Sequence, residues 1–176
     1  MLEIKPLTRD RWDDLATLFG TSSVTSSCWC MWPRVPVGQM RRRTAEQNLR
    51  EFQAIVDEGT VPGLLAYIDA EPVGWCSVGP RRHYDRFFSE TDAAPVWLAA
   101  CFFVAPSHRG QGVAAALLEA AVTHAKEQGA ATIEGLPRGW SSPEEPGCVD
   151  SLIRTFRRAG FREIADPETP AMMRRE

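Results

Sequence analysis

Six consecutive residues carry the strongest chemical signal in the chain: Arg109, Gly110, Gln111, Gly112, Val113 and Ala114. They follow the apolar run Val96–Val104 and Pro106, and they open a long Ala/Leu segment that reaches Gln128. The first N–H groups of a helix have no partner inside it and point outward with a positive partial charge. Gly110 and Gly112 lack a Cβ, so a ligand can come close to the backbone there. Arg109 adds a full charge. Together these residues suit an anion, most naturally a phosphate or pyrophosphate.

Other residues could move protons or hold a substrate. Glu134 is a carboxylate in the otherwise apolar run Ala131–Pro137, where burial would make it a usable general base, unless it faces water at the strand end. His83 and Tyr84 begin a long connection to Val96, and connections of that length are often functional. Cys28-Trp29-Cys30-Met31-Trp32 is a large apolar load beside a polar stretch; it either plugs the core or lines a pocket. Cys28 and Cys30 lack a second Cys or His pair at metal-binding spacing, so no metal is expected. Arg41-Arg42-Arg43 reads as a solvated basic face.

The elements that must position these groups follow from pattern. Val96–Val104 reads as a strand covered on both faces, ended by Pro106. Val113, Leu117, Leu118, Ala121, Val122 and Ala125 form one helical stripe, and Gly129 stops it. Leu2–Leu7 reads as a first strand, followed by a helix over 9–19 capped by Thr8 and stopped by Gly20. Thr44 with Gln47 makes a capping box for a second helix that ends at Gly59. Gly63–Ile68 and Pro72–Val78 form a hairpin around Asp69-Ala70-Glu71, and Gly74 marks a bulge or a close backbone approach. Ala131–Pro137 is the next strand. A Pro/Gly/Ser-rich excursion with Trp140 then leads to a last helix capped by Asp150 and ended by Gly160. Phe161–Ile164 and Ala171–Arg174 close the chain as strands.

The 176 residues, 44% hydrophobic, suit one domain over residues 1–176 with its own core. A net charge of −3 gives no field to draw nucleic acid. Met1-Leu2-Glu3-Ile4-Lys5 has no apolar signal core, and the longest uncharged run is too short to cross a bilayer. Five cysteines without framework spacing point to free thiols and a reducing, cytoplasmic setting, with no membrane partner.

The run Arg109-x-x-Gly112-x-Ala114, after a strand and a proline and at the start of a helix, resembles the acetyl-CoA motif Gln/Arg-x-x-Gly-x-Gly/Ala of GCN5-related N-acetyltransferases (GNAT). The resemblance implies an α/β (α+β) fold. Its central sheet is mixed but mostly antiparallel, with about six or seven strands and about four flanking helices, and strands 96–104 and 131–137 splay apart. It implies acetyl-CoA as co-substrate and a primary amine of a small molecule or peptide as acceptor. Main-chain groups of Arg109–Ala114 would hold the diphosphate, and those of Phe102, Phe103 and Val104 the pantetheine arm and acetyl group. In acetyltransferases of this fold the segment between the first two helices borders the acceptor, which casts Trp29, Cys30 and Trp32, with His83, as pocket wall. Some members use a glutamate of the later strand as base, the role the resemblance implies for Glu134 unless it faces water.

Phe156-Arg157-Arg158-Ala159-Gly160-Phe161 looks like the family's Tyr-x-x-x-Gly-Phe ending, but Phe156 stands where many members place the tyrosine that protonates the departing thiolate. Tyr84, Cys148, Ser151 or water would have to replace it, or the thiolate leaves unaided. That departure keeps open an acyl-CoA-binding module without turnover. A third reading is a dinucleotide-dependent oxidoreductase, since Gly110-x-Gly112-x-x-Ala115 with Glu134 also fits that fingerprint. Against it, Ala105–Arg109 separates strand from turn, and most of the chain precedes the motif. Monomer and homodimer are both open.

Overall fold

A computed structural model describes residues 1–88, 95–137, 146–164 and 172–176. The excursion from Arg138 with Trp140, the start of the closing strand at Ala171 and the side chain of Cys148 lie outside the described residues.

The sheet grows from a hairpin. Asp69 and Ala70, at φ 51° and 68°, make the tight turn between β2 (Gly63–Ile68) and β3 (Glu71–Pro80). Two central residues at positive φ match the right-handed twist of the strands they join. β1 (Leu2–Pro6) adds antiparallel to β2, and β4 (Val96–Val104) adds antiparallel to β3. The chain then crosses over through α5 (Val113–Glu127), so β5 (Thr132–Gly135) lies parallel to β4. β7 (Met173–Arg175) and β6 (Arg162–Glu163) complete a seven-stranded sheet of order β1-β2-β3-β4-β5-β7-β6. This is the mixed, mostly antiparallel sheet expected.

The stripe expected on α5 is the one buried: Val113, Leu117, Leu118, Ala121, Val122 and Ala125 face the sheet. Each Val or Leu buried this way contributes about 1.5–3 kcal/mol. Gly74 lets α5 lie close, because a Cβ there would stand 2.8 Å from Val113 Cγ1. α6 (Pro146–Arg158) joins this layer through Phe156. The opposite face carries α1 (Trp12–Gly20) and α4 (Ala45–Asp57), whose Leu15, Leu18, Phe19, Phe52 and Val56 pack over Leu65, Tyr67 and Trp75. Among the described residues, α2 (Ser23–Cys28) and α3 (Val37–Met40) bring the helices to six, against about four expected.

Several boundaries differ from the sequence reading. Thr8 does not cap a helix: its hydroxyl donates to Asp10 at 2.5 Å, a 3-10 turn covers Arg9–Arg11, and α1 begins at Trp12. Gly20 ends α1, yet the next residue stays right-handed and Ser22 caps α2 by accepting from Val24 N–H at 3.3 Å. The polar stretch after Gly20 is therefore helical. Asp150 lies inside α6, which starts at Pro146. Thr44 and Gln47 do form the capping box, with bonds of 3.2 and 2.9 Å.

Candidate functional site

Among the described residues, β4 and β5 pair only from Val96–Ala99 to Thr132–Gly135, closed by Leu136 N–H to Ala99 C=O at 3.1 Å. Beyond that the strands part. Leu98, Ala99 and Ala100 are buried, whereas Cys101 to Val104 are only half-buried although β4 lies mid-sheet. The expectation of a strand covered on both faces thus holds for Leu98–Ala100 and fails at both ends; past Ala100, among the described residues, no strand follows on the β5 side.

A bulge accompanies the parting. The β3–β4 register is Gly74 with Val104 and Trp75 with Phe103, then shifts to Ser77 with Ala100. Cys101 absorbs the extra residue at φ 50°. A non-glycine residue in that region costs on the order of 1 kcal/mol or more and marks an over-determined position. Past the bulge, Ala105 N–H donates to Val73 C=O at 2.9 Å, so the neighbouring Val104 turns its main-chain groups the other way, into the gap. Arg109 Nε donates to that Val104 C=O at 3.1 Å.

The gap ends at the turn expected to bind an anion. A 3-10 turn at Pro106–His108 leads to Gly110 and Gly112, at φ 75° and 83°, and among the described residues nothing lies within 4 Å of a Cβ built on either. Gly112 is the left-handed N-cap of α5 and makes no side-chain cap. The helix ladder begins with Ala116 N–H to Gly112 C=O at 3.0 Å, leaving the earlier N–H groups of Val113, Ala114 and Ala115 ahead of it. Gln111 Nε2 ties the turn to Ser107 C=O at 3.1 Å. An open glycine cradle, a helix start and Arg109 therefore sit at the mouth of a gap lined by Phe102, Phe103 and Val104 main chain. The structure brings these sequence-chosen residues together.

The proton-transfer candidates are placed differently. Glu134 is fully buried. Arg81 Nε and Nη2 reach its Oε2 at 2.9 and 2.8 Å, and Arg174 Nε and Nη2 reach its Oε1 at 3.0 and 2.7 Å. Two donors on each oxygen fill all the acceptor sites of a carboxylate. The water-facing alternative for Glu134 is excluded. Tyr84 is fully buried over Leu98, Ala100 and Leu136, with its hydroxyl 3.1 Å from Ser77 Oγ. Burial above all pushes the phenol well above its ordinary value, so it holds its proton tightly.

The expected pocket wall divides. Trp29 stacks on Trp12 at 5.7 Å and belongs to the core with Phe19, so it is a plug. Cys30 is buried beneath Trp75, whose Nε1 donates to its sulfur at 3.3 Å. Trp32 is half-buried against Phe87, with the Arg86 guanidinium 4.4 Å from its ring and Arg86 Nε on its carbonyl at 2.7 Å. His83 is half-buried, near where a Gly79 side chain would stand. Trp32, Arg86 and Phe87 remain as a rim on the sheet face opposite α5. Sequence reasoning missed Arg34, Arg81 and Arg174, because pairings 28 to 53 residues apart leave no periodic trace. Among the described residues no three His, Cys, Asp or Glu side chains converge as a metal site, and no helix is long and apolar enough to cross a membrane.

A sequence profile described as the Acetyltransferase (GNAT) family matches residues 23–137, more than half of the chain. No curated protein sequence matches. Solved structures share the fold. One is aminoglycoside acetyltransferase AAC(6')-Ib with coenzyme A and kanamycin, at 18% identity, TM-score 0.65, over 99% of this chain and 94% of that one. Another is the ribosomal-protein-alanine N-acetyltransferase from Brucella melitensis, at 18% identity, TM-score 0.62, over 98% of each chain. A third is the PaiA N-acetyltransferase from Thermoplasma acidophilum with coenzyme A, at 12% identity, TM-score 0.58, over 100% of this chain and 99% of that one. The order of the dinucleotide fingerprint also fails, since Glu134, its ribose-binding residue, is sealed under two arginines. With the profile spanning the strand parting and the glycine turn, the chain belongs to the GNAT acetyltransferase family.

Proposed function

We propose that the protein is an acetyl-CoA-dependent N-acetyltransferase that passes the acetyl group directly to a primary amine of a small molecule or peptide. The observation that carries this reading is the short β4–β5 ladder. It ends at Ala99 and exposes the Val104 main chain in line with the open first turn of α5. Main-chain N–H groups from Gly110 to Ala114 take the diphosphate, with Arg109 beside them. The β4 main chain from Phe102 to Val104 takes the amide-bearing arm and polarises the thioester carbonyl. The relatives solved with coenzyme A support this choice of co-substrate.

Holding amine and thioester at contact distance supplies much of the rate. Glu134 serves as a charged anchor between β5, β7 and Arg81, and the amine gives its proton to water entering the gap. Phe156 has no proton to give and Tyr84 keeps its own, so the thiolate takes its proton from water entering the gap.

These two locked groups also favour a second reading, an acyl-CoA-binding module without turnover. Calorimetric titration with acetyl-CoA tests the shared part: wild type binds, and Gly112→Trp, which fills the cradle, does not. An empty titration of wild type ends both readings. Thiol release from acetyl-CoA across a panel of amines separates them.

A further inference from the structure

The two sides of the β4–β5 parting are not equally open to an amine. On the α5 side, Phe156 is fully buried and stands edge-on to Phe102 at 5.5 Å. An amine therefore arrives from the opposite face. There Leu98, Ala100 and Leu136 border the parting, and Phe87, Phe88 and Cys101 pack against them. The chain builds an aromatic wall at this place. Buried Tyr84 anchors a turn whose carbonyl accepts from Phe87 N–H at 3.0 Å and from Phe88 N–H at 3.3 Å. Arg86 N–H donates to Pro33 C=O at 3.4 Å, which brings Trp32 alongside, edge-on to Phe87 at 5.4 Å. Phe88 continues the row at 6.1 Å from Phe87. All three rings are half-buried, so they keep apolar surface for a guest.

Guanidiniums frame the wall. The Arg86 guanidinium lies 4.4 Å from the Trp32 ring, and its Nε donates to the Trp32 carbonyl at 2.7 Å. These two contacts hold the head group and use one of its nitrogens. Among the described residues, Nη1 and Nη2 of Arg86 have no hydrogen-bond partner and no carboxylate pairs with them. Arg81 sits 4.1 Å from the Phe88 ring, and Arg34 sits 4.9 Å from the Tyr84 ring. Glu134 is taken up by Arg81 and Arg174, and Asp85 is exposed. The wall thus offers cations to a guest and, among the described residues, no uncommitted buried carboxylate. A half-buried cation is costly unless an anion joins it. A stacked guanidinium with two free nitrogens matches the planar fork of a carboxylate.

We propose that the acceptor is a free amino acid with an apolar or aromatic side chain, its carboxylate on Arg86 and its side chain against Trp32, Phe87 and Phe88. This deepens the proposed function and rests on it. Amine and carboxylate of an amino acid share one carbon, so holding the carboxylate places the amine. The neutral amine attacks the thioester carbonyl carbon. The N–C bond forms, the C–S bond breaks, the surplus proton on nitrogen goes to water, and the thiolate takes one from water. A guanidinium beside the amine disfavours its protonated form, which helps where neither Glu134 nor Tyr84 accepts a proton. A polyamine meets the reverse: like charge, and no free carboxylate to pair with.

Thiol release from acetyl-CoA tests this with L-phenylalanine and L-methionine, each beside its amide, and with spermidine. The expected kcat/KM is about tenfold or more higher for acid than for amide, the worth of a charge-assisted bond, with spermidine poorest. Arg86→Gln erases the preference for acid, and Arg86→Lys keeps part of it. Acid and amide are compared within one variant, so partial misfolding cancels from the ratio. Equal use of acid and amide by wild type, or spermidine as the best acceptor, overturns the proposal. A preference that survives Arg86→Gln removes Arg86 from it. Should no amine release thiol, calorimetry of the two amino acids into wild type with coenzyme A present decides. Binding that is lost in Arg86→Gln and partly regained in Arg86→Lys keeps the site and strikes turnover, whereas no binding overturns the site. Failure of acetyl-CoA itself to bind strikes the proposed function, and is read separately from the acid-to-amide ratio.

Discussion

The ring of Phe156 occupies the place where a side chain at Gly135 would begin, so that a Cβ there would overlap Cε1. Phe156 is fully buried, edge-on to Phe102 at 5.5 Å and to Phe161 at 4.9 Å. It floors the gap on the α5 side. Gly135→Ala forces the ring aside, and a loss of about 1–3 kcal/mol in urea unfolding is expected. Phe156→Ala leaves a cavity and costs about 3–5 kcal/mol. Equal stability of either variant with wild type would contradict this packing.

Glu134→Gln separates anchor from base. Removing the charge leaves the guanidiniums of Arg81 and Arg174 beside a neutral, buried amide. Breaking a buried pair from one side costs about 3–5 kcal/mol, so the melting point falls clearly. A variant that melts with wild type but loses turnover would restore Glu134 as the proton acceptor.

Gly112→Ala tests the cradle more gently than a bulky residue. At φ 83° an alanine is strained by about 1 kcal/mol. Its methyl also enters space now open to a diphosphate, so acetyl-CoA affinity falls by about tenfold or more. Calorimetry should show the affinity loss exceeding what the modest stability loss explains.

Acid should loosen the fold through two histidines. Burial is the first cause that lowers His83 below its ordinary 6.5, with Arg34 and Arg82 adding to it. Burial also lowers His124, which sits edge-on to Trp97 at 5.7 Å. Below 6.5 the unfolded chain therefore holds more protons than the folded one. Stability is full above that value and drains away as pH falls through the lower, folded values. The urea midpoint should be higher at about pH 7.5 than at about pH 5.5, and His83→Asn should shrink the difference.

The capping box at Thr44 gives a local check. Thr44→Ala loses the bond to Gln47 N–H and costs about 1 kcal/mol, while Gln47→Ala removes the reciprocal bond and costs less.

What the sequence disclosed was local. The Thr44/Gln47 pair, the α5 stripe and the Gly110/Gly112 turn are defined by spacings of a few residues, and each stands where spacing put it. Departures arose where distant partners decided. No pattern near Cys101 signals a bulge, because the left-handed position is held by packing across the sheet and not by a glycine. Glu134 looked available in an apolar strand, and its two arginines arrive from 53 and 40 residues away. Thr8 had the right type for a cap, but Asp10 and Arg11 compete for its hydroxyl.

Among the described residues, four residue pairs, Val96 with Thr132 through Ala99 with Gly135, bounded by main-chain bonds from Ala131 to Pro95 and from Leu136 to Ala99, form the seam between the two parts of the sheet. Such a seam behaves like a garment stitched at the collar and loose below. A guest that offers its own amides to β4 would finish the stitching, so occupancy should register as slowed amide exchange along β4 and β5 together, even in residues the guest never touches.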